Sequence, residues 1–323
     1  MKLSIIIALY NTEKYIEQCI RSIYLNNTLG YKEFEVIVIN DGSTDSSRSI
    51  IESLIKEFSN IIIIDKSNGG QSSARNIGFL NARGEYILCL DSDDFINGSY
   101  LESILKKSIE NNIDIGAFKC VTVDDMGKKI DKNKFNYNIG NIESKSVEDF
   151  YFKEVVLGAM CFYLYKRDIL VKNDLKLHEG IRHEDEEFVT KFFSVSDLIS
   201  FYDVPLYYYR IHNASSMNVP ERAKRIILMF DILKVINELN KHQNKLDKNK
   251  SRIFVNKKCN ELLVSVYLKA KGLKLTRAEK IELFQKIDSI DLPNKGMSKY
   301  LGIKKNLFLF LLRINFFRNL YFI

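Results

Sequence analysis

Seven acidic residues in two short clusters are the first candidates for chemistry in this 323-residue chain. The cluster Asp91-Ser92-Asp93-Asp94 follows an apolar run at residues 86–90. Carboxylates two residues apart can bind a hard divalent cation such as Mg²⁺ or Mn²⁺, which usually keeps positions for substrate phosphates. We therefore predict a metal and phosphate site here, with a solvated acidic turn as the alternative.

The second cluster is His183-Glu184-Asp185-Glu186-Glu187. A carboxylate can take a proton from a reacting hydroxyl, and repulsion between neighbouring carboxylates raises the pKa of one of them. Asp185 is the candidate general base, and His183 is a second candidate. We expect Glu186 and Glu187 to lie on the surface in the first turn of a helix, where the helix dipole favours them.

Two polar loops add groups that can hold a nucleotide. Asp41, in Asn40-Asp41-Gly42-Ser43, can accept a hydrogen bond from a nucleobase or cap a helix. The Gly69-Gly70 pair lets the backbone approach a ligand, and Arg75 can neutralise a phosphate. Because these loops contain no G-x-G-x-x-G, they do not indicate a nicotinamide dinucleotide site.

The elements that position these groups alternate between strand and helix. Short β-branched runs predict buried strands at residues 3–9, 34–39, 61–64 and 86–90, with helices at 12–24, 46–58 and 72–82 between them. This order predicts an α/β fold with a mostly parallel sheet flanked by helices, whose ligands sit at the carboxyl ends of the strands. Further along, we expect helices at 99–113 and 184–196, a hairpin-like excursion at 120–145 and a strand at 202–210.

Four motifs in this order resemble the family 2 glycosyltransferases. They are Ser4–Asn11, Asn40–Asp45, Gly69–Gly78 and Leu90–Asp94, and the resemblance covers roughly residues 1–215. It implies the Rossmann-type GT-A fold and inverting transfer from a nucleoside-diphosphate sugar, with Mn²⁺ or Mg²⁺ as cofactor. Two positions depart from the family pattern: Gly98 replaces a common Pro, and Phe162-Tyr163 replaces Asn-Lys. The aromatic pair is either a stacking platform for a sugar or part of the core.

The resemblance also implies a role for each matching residue. Nucleotide-sugar binding falls to Tyr10, Asn11, Asp41, Arg75, Asp91, Ser92, Arg210 and Ser215. Within this set, Tyr10 and Asp41 would hold the base, Asp91 the ribose, and Arg210 and Ser215 the phosphates. Asp93 and His212 would bind the metal, and Asp185 would be the catalytic base. Asp94 receives no role.

Charge divides the chain near residue 220. Residues 1–220 carry 25 Lys and Arg against 32 Asp and Glu, whereas residues 221–323 carry 23 against 9. We predict a catalytic domain at 1–218, with a nucleotide-binding half (1–98) and an acceptor-binding half (99–218), and a basic helical region at 219–323. The apolar, cation-spaced segment 304–323 indicates a helix on an anionic membrane surface or, equally, a core or dimer contact.

Composition limits the remaining possibilities. The five cysteines form no Cys-x-x-Cys, which is typical of buried, reduced thiols, and the sequence contains no apolar stretch long enough to span a membrane. We expect a cytoplasmic protein, peripheral on the inner face of the membrane. The resemblance implies a UDP-sugar as donor and a saccharide or lipid-linked saccharide of a cell-surface polysaccharide as acceptor, and we expect no nucleic acid partner. The alternatives are a nucleotidyltransferase and a catalytically degenerate nucleotide-sugar-binding protein.

Overall fold

The computed structural model describes residues 1–130, 145–147, 158–212 and 222–290. The strands are β1 (Leu3–Leu9), β2 (Phe34–Asp41), β3 (Ile61–Lys66), β4 (Tyr86–Cys89), β5 (Phe95–Ile96), β6 (Ile115–Val123), β7 (Lys145–Ser146), β8 (Tyr163–Lys166) and β9 (Leu198–Arg210). The helices are α1 (Ile16–Tyr24), α2 (Ser47–Ile55), α3 (Gln71–Asn81), α4 (Leu101–Glu110), α5 (Arg167–Lys172), α6 (Glu184–Ser194), α7 (Arg222–Gln243), α8 (Asn249–Leu273) and α9 (Arg277–Ser289).

One sheet contains all the strands of the described residues, in the order β3-β2-β1-β4-β8-β6-β9-β5, with β7 also paired to β9. The first four strands are parallel, as their alternation with α1–α3 predicts. Beyond β4 the sheet is mixed, because β8 lies antiparallel between β4 and β6, while β6 and β9 are parallel. The α/β class, with helices flanking a central sheet and a helical C-terminal part, is confirmed.

The central strands are buried on both faces. Every residue of β2 is buried, and in β1 Ala8 alone is partly exposed, which fits their uninterrupted β-branched sequences. Helix α3 packs tightly on the sheet at Gly78, where an added Cβ would lie 2.3 Å from Ile6 Cγ2 and 3.1 Å from Ile39 Cδ1. This contact sets the position of α3 on the sheet, and α3 also carries Arg75.

Several element boundaries differ from the predictions. The first helix begins at Ile16, because residues 12–15 form a turn whose Thr12 N–H donates to Ser47 Oγ at 2.9 Å. The hairpin-like excursion predicted at 120–145 begins later than expected, because β6 runs through Val123 and pairs with β9. A hairpin turn then follows, with Val123 and Lys129 in an antiparallel bridge, and residues 131–144 lie outside the described residues. Phe162 and Tyr163 are 1% and 0% exposed, so this aromatic pair is part of the core.

The C-terminal described residues form the antiparallel helices α7 and α8 and the shorter α9. In the described ranges, no helix is both long and apolar enough to cross a membrane. All five cysteines are buried free thiols, as predicted. Ser215 and the segment 304–323 lie outside the described residues, so their roles and the domain boundary at 218 stay predictions.

Replacing Gly78 with Ala tests the close contact between α3 and β1. We expect Gly78→Ala to lower the free energy of unfolding by about 1–3 kcal/mol, because the new methyl group overlaps Ile6. Urea denaturation measures this. The matched control is Gly272→Ala on α8, where an added Cβ meets open space, and we expect it to be stabilising by about 0.5–1 kcal/mol. Equal stability of Gly78→Ala and wild type would contradict the packing described here.

Candidate active site

A buried arginine joins the two acidic clusters. Arg75 on α3 is 2% exposed, and its guanidinium donates to Asp91 Oδ1 at 2.5 Å and to Asp185 Oδ1 at 2.8 Å. Glu184 Oε1 lies 3.8 Å from the same guanidinium. Burial disfavours the charge, but Asp185 and Asp91 raise the pKa of Arg75 well above its ordinary value. Asp91 and Asp185 are 94 positions apart in the sequence, and both therefore contact the same guanidinium at the carboxyl end of β4.

Asp94, which had no predicted role, anchors the acidic turn to β9. Its carboxylate accepts a hydrogen bond from Tyr207 Oη at 2.6 Å and from the Arg210 backbone N–H at 2.7 Å. The Tyr207 hydroxyl in turn accepts from the Asp91 N–H at 3.3 Å. Burial, and then repulsion by Asp93 and Asp91, raises the pKa of Asp94 well above its ordinary value. Asp94 is thus a structural carboxylate that fixes where Asp91 and Asp93 point.

Arg210 contributes to the same anchoring. Its side chain is 2% exposed and donates to Asp93 O at 2.8 Å, Asp125 O at 2.6 Å and Gln18 Oε1 at 2.7 Å. The guanidinium also lies over the rings of Tyr15 and Phe95. In this arrangement Arg210 ties the acidic turn to α1 and the β6 end, and its predicted phosphate contact stays a prediction.

Asp93 and His212 lie together, as the predicted metal pair requires. His212 Nε2 is 2.9 Å from Asp93 Oδ2, and the imidazole packs on the Tyr15 ring. Burial, and then the negative charge of Asp91, raises the pKa of Asp93. A cation would offset both effects, and a carboxylate with an imidazole suits Mn²⁺, whereas Mg²⁺ prefers oxygen ligands. The donor set therefore fits a divalent metal.

Asp185 lies in the first turn of α6, where the helix begins after His183 in a left-handed conformation with φ of 69°. Apart from Arg75, its carboxylate is near the Met160 N–H, at 3.5 Å from Oδ2. Burial raises the pKa of Asp185 to about 7, Arg75 lowers it, and Glu184 and Asp91 raise it. A carboxyl group with this pKa can exchange a proton near neutral pH.

Asp41 closes the glycine loop at the other side of the site. Its carboxylate accepts from Lys66 Nζ at 2.5 Å, from the Gly69 N–H at 2.9 Å and from the Gly70 N–H at 2.8 Å. Gly70 has φ of 88°, which a residue with a side chain rarely adopts. Asp41 thus shapes the loop in the structure, and its contact with a nucleobase stays a prediction.

The remaining predicted residues line the same edge of the sheet. Asn11 adopts φ of 50°, and its side-chain oxygen accepts from the Thr44 N–H at 2.8 Å, which joins the loops after β1 and β2. Tyr10 is 49% exposed beside it, and Ser92 is buried within the acidic turn. The structure therefore brings the described members of the predicted site to one edge.

One expectation about the second cluster is wrong. Glu187 was expected at the surface, but it is 1% exposed, ion-paired with Lys191 and 3.8 Å from His178 Nδ1 through Oε2. It faces inward because it lies on the side of α6 that carries the buried Phe188 and Phe192. Glu186 is partly buried and ion-paired with Lys258.

Sequence reasoning also missed Tyr207, Lys66 and Gln71, whose amide donates to Asp91 Oδ1 at 3.2 Å. Tyr207 lies in an aromatic run whose alternation marks a strand, but its partner is 113 residues away. Only the register of β9 beside the acidic turn identifies it.

Several known proteins have sequences similar to that of this chain. The profile of the family described as "Glycosyl transferase family 2" matches residues 4–172, just over half of the chain. Glycosyltransferase GlyA of Streptococcus pneumoniae is 30% identical over 237 residues, which are 68% of this chain and 32% of GlyA. The poly(ribitol-phosphate) beta-N-acetylglucosaminyltransferase TarS of Staphylococcus aureus is 27% identical over 211 residues, 65% of this chain and 35% of TarS. The chain thus spans about a third of the length of these relatives.

Solved structures share the fold. The S. aureus TarS 1-349 complex with UDP-GlcNAc has a TM-score of 0.73 at 21% identity, covering 91% of this chain and 82% of that one. The mannosyltransferase PcManGT from Pyrobaculum calidifontis, in complex with GDP-Man and Mn²⁺, has a TM-score of 0.55 at 13% identity, covering 99% and 83%. The TarS likeness extends over most of the chain and therefore includes the C-terminal helices.

Replacing Tyr207 with Phe tests the anchoring of the acidic turn. The variant loses the hydroxyl that bridges Asp91 and Asp94, and leaves a buried carboxylate short of a donor. We expect a loss of about 1–3 kcal/mol in the free energy of unfolding, measured with urea. Tyr10→Phe, at an exposed tyrosine, should stay within about 0.5 kcal/mol of wild type. Unchanged stability of Tyr207→Phe would show that this hydroxyl does not hold the turn.

Proposed function

Because the chain belongs to glycosyl transferase family 2, we propose that it is an inverting glycosyltransferase. It moves a sugar from a nucleoside-diphosphate sugar, most simply a UDP-sugar, to a hydroxyl of a growing cell-surface polysaccharide. The observation that carries this proposal is the Arg75 bridge between Asp91 and Asp185. If Asp91 lies on the donor side and Asp185 is the base, this bridge holds both at one small volume, which supports the proposal.

The donor is proposed to lie along the edge formed by the loops after β1, β2 and β4. Tyr10 and Asp41 hold the base, with Asn11 fixing the loop beneath it, and Asp91 binds the ribose. The diphosphate then meets the metal site at Asp93 and His212. A bound Mn²⁺ or Mg²⁺ would supply positive charge for the departing nucleoside diphosphate. The UDP-GlcNAc bound by TarS and the Mn²⁺ in PcManGT support this choice of donor and cofactor.

Asp185 is proposed to act as the general base. Its carboxylate accepts the proton of the acceptor hydroxyl while that oxygen attacks the anomeric carbon from the face opposite the diphosphate. The bond from the anomeric carbon to the diphosphate oxygen breaks in the same displacement, which inverts the anomeric configuration. Arg75 holds Asp185 in place and stabilises its ionised form.

The acceptor is proposed to be a saccharide or lipid-linked saccharide. The name of TarS includes poly(ribitol-phosphate), an anionic polymer, and the excess of Lys and Arg after residue 220 suits an anionic acceptor or membrane surface. Association with a membrane through residues 304–323 belongs to the same proposal.

Asp185→Asn separates binding from chemistry. The amide preserves the side-chain shape but does not take up the proton, so we expect nucleotide binding to stay within about twofold of wild type, while transfer falls at least about 100-fold. Release of nucleoside diphosphate in the presence of Mn²⁺, with a panel of nucleotide-sugars and a broad acceptor extract, measures transfer. Calorimetry with UDP measures binding.

Asp93→Ala is the opposite control, because it should weaken metal-dependent binding of the diphosphate. If Asp185→Asn stays active, the base is misassigned. If wild type transfers from no donor in the panel, the proposal that this chain is an enzyme is contradicted.

The pH dependence of transfer provides a further prediction. The base must be ionised, and burial raises its pKa to about 7, so kcat/KM should rise with pH and level off above about pH 7. An aspartate with its ordinary pKa near 3.9 would leave kcat/KM flat from about pH 5.5 to 8. Initial rates at constant ionic strength and metal concentration measure this profile. A flat profile across that range would contradict Asp185 as the base in this environment.

A further inference from the structure

The helix that presents the candidate base is bonded to the C-terminal helices on two sides. Ahead of it, the Arg182 N–H donates to Asp231 Oδ2 of α7 at 3.2 Å, and Asp231 is 4% exposed. Within its first turn, Glu186 is ion-paired with Lys258 of α8. Both anchors come from helices beyond residues 4–172, the part of the chain that matches the family profile.

We infer that Lys258, through its ion pair with Glu186, is a positioning residue for Asp185, and that the C-terminal helices are part of the catalytic apparatus. This inference rests on the proposed function, since it gives Lys258 a role only if Asp185 is the base. Lys258 touches neither donor nor acceptor in this account, and it acts through the neighbour of the base.

The ion pair is enclosed, which makes it different from a surface contact. The side chains of Lys258 and Glu186 are 12% and 24% exposed. On the other side of Glu186 lies Gly158, where an added Cβ would be 2.1 Å from Glu186 Oε2. The carboxylate is therefore held between the glycine backbone and the ammonium group, and a partly buried pair resists screening better than an exposed one.

The segment that contacts Glu186 also contacts Asp185. Two residues after Gly158, the Met160 N–H points at Asp185 Oδ2 from 3.5 Å. Segment 158–160 thus lies against both Glu186 and Asp185, and Lys258 pairs with the Glu186 carboxylate. If Glu186 loses Lys258, it can move against segment 158–160 and shift the carboxylate beside it.

The start of α6 needs such support because His183 has a left-handed backbone conformation. A non-glycine residue at φ of 69° persists only where its surroundings hold it. The Arg182–Asp231 bond holds the chain just before His183, and the Glu186–Lys258 pair holds it just after. Asp185 lies between these two anchors.

The charges around the base make the inference testable by titration. The charged groups that act on the pKa of Asp185 are Arg75 of α3, Glu184 of α6 and Asp91 after β4. Glu186, the next residue of α6, carries the ion pair with Lys258 of α8 beside them. Removing the Lys258 cation raises the pKa of a nearby carboxyl group, and removing the Glu186 anion lowers it. If the ion pair were a purely structural contact far from the base, neither substitution would change the pKa of Asp185.

The experiment compares Lys258→Met, Lys258→Arg, Glu186→Gln and the double variant Lys258→Met/Glu186→Gln in the full chain. We expect Lys258→Met to lower kcat about 10–100-fold through misplacement of the base, with the donor KM within about twofold of wild type. Lys258→Arg should restore most of kcat. Lys245→Met, at an exposed lysine between α7 and α8, is the matched control and should transfer like wild type.

The pH profile supplies the second measurement. The acidic limb of kcat/KM should move to higher pH in Lys258→Met and to lower pH in Glu186→Gln, and the double variant should fall between them. If Lys258→Met fails to fold, the shift of the acidic limb of kcat/KM in Glu186→Gln tests the inference by itself.

Two outcomes would overturn the inference. One is wild-type kcat and pH profile in folded Lys258→Met, and the other is an unmoved limb in Glu186→Gln. Absence of transfer by wild type would instead contradict the proposed function itself, so the two failures are distinguishable.

Discussion

The buried guanidinium of Arg75 is the interaction on which the rest of the site depends. Three carboxylates from two distant parts of the chain surround it, and each is partly removed from water. Burying a lone charge is costly, and an uncompensated partner in such a group commonly costs about 3–5 kcal/mol. Without Arg75, the carboxylates of Asp91, Glu184 and Asp185 would repel one another at short range. The cation therefore allows the donor side and the base to approach.

A second constraint fixes the direction of the acidic turn. Strand β9 lies beyond β6 in the sheet, yet its end crosses back to the turn after β4 through Tyr207 and Arg210. Asp94 receives two of these bonds, which leaves the side chains of Asp91 and Asp93 pointing into the site. The three acids of the cluster thus have different partners: Asp91 pairs with Arg75, Asp93 with His212, and Asp94 with β9.

The sequence predicted the N-terminal half of this arrangement well. Periodicity and β-branched runs located β1–β4 and α1–α3, and parallel strands place the residues after their carboxyl ends at one edge. The juxtaposition of Asp41, Asp91 and Asp93 followed from that rule.

The second half was harder, because it depends on long-range pairing. Nothing local to Leu164 indicates that β8 runs antiparallel between β4 and β6, and no spacing links Tyr207 to Asp94. Glu187 was placed at the surface because charge patterns predict solvent exposure unless a partner such as Lys191 is known. The family resemblance predicts Asp185 as the base, but its bond to Arg75 is visible only in the fold.

We propose that one carboxylate, Asp185, drives a single displacement at the anomeric carbon. The anomeric configuration of the glycoside formed tests this directly, and it is read from the proton NMR coupling constant at the anomeric position, which the new glycosidic bond fixes. We expect a product of configuration opposite to that of the donor sugar. A product with the same configuration as the donor would require two displacements or front-face attack, and it would contradict a single displacement driven by Asp185.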